Sequence, residues 1–120
     1  FVNHGPLRWV AEDSHKPGRD GQHCWLLHAS ADWSEDHIEA TSDEVAAPLI
    51  SAFISLGGRT PDAWSAHRWR YADTAKPLSL GAVWETQAGL GLCGDWLNGG
   101  KVEGAWLSGQ SLAEQILTAT

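Results

Sequence analysis

The chain has 120 residues, enough for one domain with a modest core, and its net charge of −7 excludes the basic footprint that nucleic-acid binding needs. An apolar share of 42% reads as globular rather than disordered, and no apolar run approaches the ~18–20 residues of a membrane span. Eight tryptophans are unusual for this length; the absence of methionine in a chain that opens on Phe1 reads as a piece of a longer protein or a processed product, and the N-terminus is not a signal peptide.

Leu7 to Glu12 (LRWVAE) mixes apolar and polar residues as a half-buried strand does. The following HKPGRDG, with Pro17-Gly18 and Asp20-Gly21, is a turn by composition. His23 to Ala29 (HCWLLHA) reads as a second strand, so the pair is expected to form an antiparallel hairpin with a long loop. Asp32 to Glu39 is polar and reads as a loop or a single helical turn.

Thr41-Ser42-Asp43-Glu44 has the form of a capping box, with Thr41 as N-cap and Glu44 at the third helical position. Val45, Leu49 and Phe53, flanked by Ala46, Ile50 and Ile54, then mark an amphipathic helix that ends at Gly57-Gly58. Pro48 is expected to kink or loosen its first turns.

Beyond Pro61, DAWSAHRWRYAD is a strand candidate, with Ala66, Arg68 and Arg70 on one face and His67, Trp69 and Tyr71 on the other. Ala82 to Gln87 (AVWETQ) is another short strand, and Gly89 to Cys93 (GLGLC) has the apolar, glycine-punctuated look of a buried one. A helix from about Lys101 to Leu117 closes the chain, its buried stripe carried by Val102, Ala105, Trp106, Gly109, Leu112, Ala113 and Ile116. The expected class is α+β with an α/β-like tail.

The stretch from Gly94 to Gly109 contains five glycines at the start of an otherwise good helix. A strand, a Gly-Asp step, a tight Gly-Gly loop and a helix N-terminus together present bare amides and a partial positive charge to an anionic ligand. Gly99 and Gly100 let ligand atoms approach the backbone. Gly104 and Gly109, with Ala105 and Ser108, let the helix lie close to a sheet or cofactor. On spacing alone, a simple strand-to-helix turn with packing glycines explains the stretch equally well, and GxGxxG is absent.

The segment GLCGDWLNGGKVEGAWLSG, with HRWRYA upstream, resembles the C-terminal end of FAD-dependent oxidoreductases of the amine-oxidase class, nearest to the bacterial renalase-like branch. FVNHGPLRW, HKPGR, WLLHASADWS and AHRWRYA match that branch's pattern in the same order, so the likeness covers essentially the whole chain. The resemblance implies two interleaved domains. Residues 1–87 correspond to the later part of a substrate domain, an antiparallel sheet with one amphipathic helix. Residues 88–120 correspond to the last strand and helix of a Rossmann-like FAD-binding domain.

Carried over by position, Gly94 and Asp95 match the Gly-Asp pair beside the ribityl chain and pyrophosphate, where an ionised carboxylate accepts strong hydrogen bonds. Gly100, Lys101, Val102 and Glu103 match the helix start facing the flavin's pyrimidine edge, and Trp96 and Gly104 match positions that wall the ring. The amides there would stabilise negative charge on the reduced flavin. The implied reaction is hydride transfer from a reduced substrate to FAD, with reoxidation by oxygen to hydrogen peroxide. The substrate is either an amine or a dihydronicotinamide isomer of NAD(P)H, and the sequence leaves both open. The family's GxGxxG segment and ribose-gripping acidic residue are missing from these residues, so the expected partners are FAD, a small-molecule substrate and the absent N-terminal part. The 120 residues alone are expected to be catalytically silent.

Arg68, Trp69 and Arg70 suit an anionic substrate or a cofactor phosphate, although a packed tryptophan with solvent-facing arginines is the favoured reading. His67 reads as structural rather than as a base. His23, Cys24 and His28 lack zinc-ligand spacing, and no metal is expected. Cys24 and Cys93 read as free thiols of a reducing, cytoplasmic setting, Cys93 as an inert core thiol. Ser108 and Ser111 have no hydrolase elbow or evident His–Asp partners. Trp9, Trp25, Trp33, Trp64, Trp69 and Trp84 either roof a planar substrate or fill a core. The alternative to a flavoenzyme piece is a non-enzymatic binding or scaffolding domain.

Overall fold

The computed structural model describes residues 1–19 and 21–119. Two antiparallel strands open the chain, β1 (Leu7–Glu12) and β2 (Trp25–Ala29), followed by helices α1 (Ala31–Asp36) and α2 (Ser42–Ser55). A second strand pair, β3 (Val83–Glu85) and β4 (Leu90–Leu92), precedes a short 3-10 turn at Asp95–Leu97 and the long helix α3 (Val102–Ala119). The class is α+β, with two separate two-stranded sheets. The residues form two compact units, one from Phe1 to Arg70 and one from Tyr71 onward.

In the first unit the expected hairpin forms, with Val10 opposite Leu27 and Glu12 opposite Trp25. A bulge falls between Leu7 and Trp9, where the register shifts. The Asp20-Gly21 turn lies partly outside the described residues, because Asp20 is not among them. Leu7 is fully buried and, with Ala52 and Phe53 of α2, makes the core against which Val2, Val10, Leu27 and Leu49 pack.

The capping box is present in both directions. The Thr41 hydroxyl accepts from the Glu44 amide at 3.3 Å, and Glu44 Oε2 accepts from the Thr41 amide at 2.7 Å. The helix runs unbroken through Pro48, whose missing N–H removes one hydrogen bond, and stops at Leu56 before Gly57 at φ +97°. Asp32 to Glu39 is more regular than expected. Ser30 caps α1 by accepting from the Trp33 amide at 3.3 Å, and Trp33 stacks on His37 at 3.9 Å.

Three sequence expectations are corrected. Asp62 to Asp73 is not a strand. Its aromatic composition suits a sheet, but no described strand pairs with it, and strand formation requires that partner. The side-chain alternation nevertheless survives: Arg68 donates to the Ala40 carbonyl and Arg70 to Glu39, while the His67 and Trp69 rings meet edge to face at 4.7 Å.

The segment GLGLC does contain a strand, but it is not buried. Leu90 and Leu92 are 65% and 56% exposed, and β4 pairs antiparallel with β3 through Val83–Leu92 and Glu85–Leu90. Cys93 is likewise exposed rather than a core thiol. The third correction concerns the stripe of α3. Ala105, Gly109, Leu112 and Ile116 are partly covered, but Val102, Trp106 and Ala113 are exposed. The most buried positions are Gly104 and Ser108, so the packed face is centred on small residues rather than large ones.

Candidate functional site

The turn between β4 and α3 is built from backbone hydrogen bonds. The Asp95 carbonyl accepts from the amides of Asn98 at 2.9 Å and Gly100 at 2.8 Å, which curls the chain through its 3-10 turn. A second strip of chain braces it: the Leu78 amide donates to the Trp96 carbonyl, and the amides of Leu80 and Gly81 donate to Leu97. The Gly99 amide returns a bond to the Leu78 carbonyl at 3.2 Å. Leu97 is buried beneath this lattice.

The glycines have distinct local reasons. Gly99 and Gly100 lie at φ +84° and +71°, in the left-handed region where other residues are strained. Gly104 is required for a different reason. A Cβ there would collide with the Asn98 carbonyl, and the Asn98 side-chain amide donates back to the Gly104 carbonyl at 3.1 Å. The helix is thereby drawn tightly onto the turn.

Of the residues matched to a flavin site, Asp95 is half-buried on the turn, while Lys101, Val102 and Glu103 are exposed at the start of α3. The Trp96 ring folds back over Gly94, so that a Cβ on Gly94 would strike it, and remains 42% exposed. The Ala105 amide donates to the Lys101 carbonyl at 2.9 Å, the first bond of the helical ladder. The amides before it have no intrahelical acceptor and carry the positive end of the helix dipole. The exposed helix start and the half-buried Asp95 on the preceding turn therefore have the chemistry to meet an anionic group and a hydroxylated chain. The amides of Asn98, Gly99 and Gly100 do not, because backbone carbonyls already occupy them.

His67, Arg68, Trp69 and Arg70 belong to the first unit. The Arg68 guanidinium is held by the Ala40 carbonyl at 2.5 Å, and Arg70 pairs with Glu39 at 3.0 Å on the surface. Trp69 is 75% exposed. Both arginines thus brace the linker between α1 and α2.

A cluster not singled out in the sequence lies where β1 meets the hairpin loop. Glu12 accepts from His23 at 2.5 Å and from the Ser14 hydroxyl at 3.2 Å, and His15 Nδ1 lies 3.3 Å from its other oxygen. The His23 hydrogen bond, above all, holds the Glu12 carboxyl below its ordinary range. Beside it Asp13 pairs with Lys16 at 2.5 Å and Arg19 at 3.2 Å, and the Lys16 bond lowers its pKa first. The signal was present in the sequence as acidic and basic residues clustered around one turn, but the pairing depends on hairpin register.

No protein-family model matches the chain. Among the described residues no group of three or more His, Cys, Asp or Glu is placed to hold a metal ion, and no helix is long and apolar enough to cross a membrane.

Proposed function

We propose that these residues are the C-terminal portion of an FAD-dependent oxidoreductase of the amine-oxidase class, resembling its renalase-like branch. The observation that carries the reading is that half-buried Asp95 lies on the turn leading into α3, whose first residues are exposed and precede the first bond of the helical ladder, within a segment whose residues resemble the flavin-binding end of that class. When bound, FAD supplies the hydride-accepting chemistry, drawing on a reduced substrate, an amine or a dihydronicotinamide isomer of NAD(P)H, with oxygen as the final acceptor.

In this reading Asp95 binds and orients the ribityl hydroxyls, and the amides of Lys101, Val102 and Glu103 hold the pyrimidine edge and favour negative charge there. Trp96 walls one side of the site. Gly94, Gly100 and Gly104 set the backbone path that brings these groups together. His67, Arg68, Trp69 and Arg70 are secondary candidates on the substrate side, with Arg68 and Arg70 acting by bracing their loop. The two free cysteines, both exposed, fit a reducing cytoplasm. The adenosine half of FAD requires a part of the protein beyond these residues, and the 120 residues alone are inactive.

The test is the full-length parent. Its upstream sequence should carry a strand followed by GxGxxG, and the purified protein should be yellow and release FAD on denaturation. A parent lacking both the motif and a flavin would leave the chain as a binding or scaffolding domain.

A further inference from the structure

Ser108 is fully buried in the middle of α3, the one buried polar side chain among the described residues. A serine inside a helix ordinarily bonds back to the carbonyl four residues earlier. Here that carbonyl, of Gly104, accepts from Asn98 instead. The Ser108 hydroxyl reaches out of its own helix in both directions, accepting from the Gly94 amide at 2.9 Å and donating to the Gly81 carbonyl. Both partners are backbone groups just outside the β3–β4 ladder, where no neighbouring strand pairs them.

The geometry points to Ser108 as the positioning residue of the candidate flavin site, an assignment that rests on the flavin reading above. Its hydroxyl fixes Gly94, the residue immediately before Asp95, against α3, the helix whose first amides belong to the same candidate site. Asn98 clamps the other end of the turn onto Gly104. The two clamps together tie the turn that carries Asp95 to α3 at both of its ends, which fixes the backbone path between Asp95 and the helix start for a ligand that spans both. Alanine would keep the Cβ but remove the hydroxyl oxygen, leaving the Gly94 amide and Gly81 carbonyl without their partner. Apolar packing alone gives no reason for the hydroxyl.

The experiment uses the full-length parent with FAD as the probe. Ser108→Ala is compared with Leu49→Ala, a core change in the other unit chosen to lower thermal stability comparably. Both are titrated with FAD well below their melting temperatures, with the absorbance of the bound flavin recorded. We expect Ser108→Ala to bind FAD about tenfold more weakly, with an altered flavin band, as the loss of a buried hydrogen-bond pair implies. Leu49→Ala should keep the parent's affinity and spectrum. Should Ser108→Ala not fold, Ser108→Cys keeps a weaker donor and acceptor on a somewhat larger side chain, and a several-fold loss of affinity with an altered flavin band would support the assignment. Parent-like affinity and spectrum in the serine variant, with only its melting temperature lowered, would overturn the positioning role while leaving the flavin reading intact. A parent that does not bind FAD would overturn both.

Discussion

The two units hold themselves together by different means. The first closes on side chains: Leu7 of the hairpin meets Ala52 and Phe53 of α2, and Trp25 lies 5.2 Å from the Phe53 ring. The second closes on backbone. Its turn is tied by main-chain bonds to residues 78–81 and to α3 through Ser108 and Asn98, and its most buried helical positions are a glycine and a serine. Meanwhile Leu90, Leu92, Val102, Trp106 and Leu117 are all more than half exposed. Apolar burial stabilises the first unit in proportion to area removed from water. In the first unit Phe1 and Trp69 are exposed to the same degree, so the second differs in leaving more of its large apolar residues uncovered around a turn fixed by backbone bonds.

The contrast can be broken from either side. The largest effect should come from Phe53→Ala, which removes the central ring of the small core and should cost about 3 kcal/mol. Amide hydrogen exchange should then accelerate across β1, β2 and α2 and stay near the native rate at Gly99 and Gly100. Gly104→Ala is the converse. Its methyl group must displace the Asn98 carbonyl, at a cost of about 2 kcal/mol by overpacking, with faster exchange confined to the turn and α3. Parallel loss of protection in both units, from either variant, would show that they do not stand on separate supports.

Smaller effects sharpen the picture of the first unit. Thr41→Ala should cost about 1 kcal/mol, read as a lower urea midpoint, since it removes the hydroxyl that caps α2. The acid side should follow Glu12, Asp13 and Glu44. All three carboxyls have pKa values lowered in the folded state, Glu12 mainly by the His23 hydrogen bond, Asp13 by Lys16 and Glu44 by the Thr41 amide. A depressed folded pKa gives stability that is present above the ordinary values of 4.5 for Glu and 3.8 for Asp and is lost as pH falls through the folded values. Melting temperature should therefore fall as pH is taken below about 4.5, and less steeply in Glu12→Gln. An unchanged acid slope in that variant would remove Glu12 from the account.

What the sequence revealed follows the range of the interactions involved. The capping box at Thr41 and Glu44 spans four residues and could be read directly, as could the hairpin punctuated by Pro17-Gly18. The Ser30 cap is equally local, but the helix behind it is short and polar and shows no apolar periodicity that would mark it. The strand expected at 62–73 and the burial expected of 89–93 were different in kind, since a partner strand and a covering layer lie elsewhere and no local pattern reports them. In α3, the large residues Val102 and Trp106 drew the expected stripe away from the true face. Gly104 and Ser108 are buried there because a backbone carbonyl and a backbone amide come close. Of the candidate site, the Gly99-Gly100 step was legible as a strand-to-helix turn and Gly104 as a close-packing position; that the contacts are made by Asn98 and Ser108 was not, because they depend on segments the fold brings together.

The measurement that bears most directly on the central claim is an FAD titration of three samples, followed by flavin absorbance and fluorescence. They are the full-length parent, the parent carrying Asp95→Ala, and the 120-residue chain. Strong binding by the parent, clearly weaker binding by the Asp95 variant and none by the isolated chain are the predicted results. Equal affinity in the parent and its Asp95 variant, or tight binding by the isolated chain, would contradict a flavin site divided between this turn and the rest of the protein.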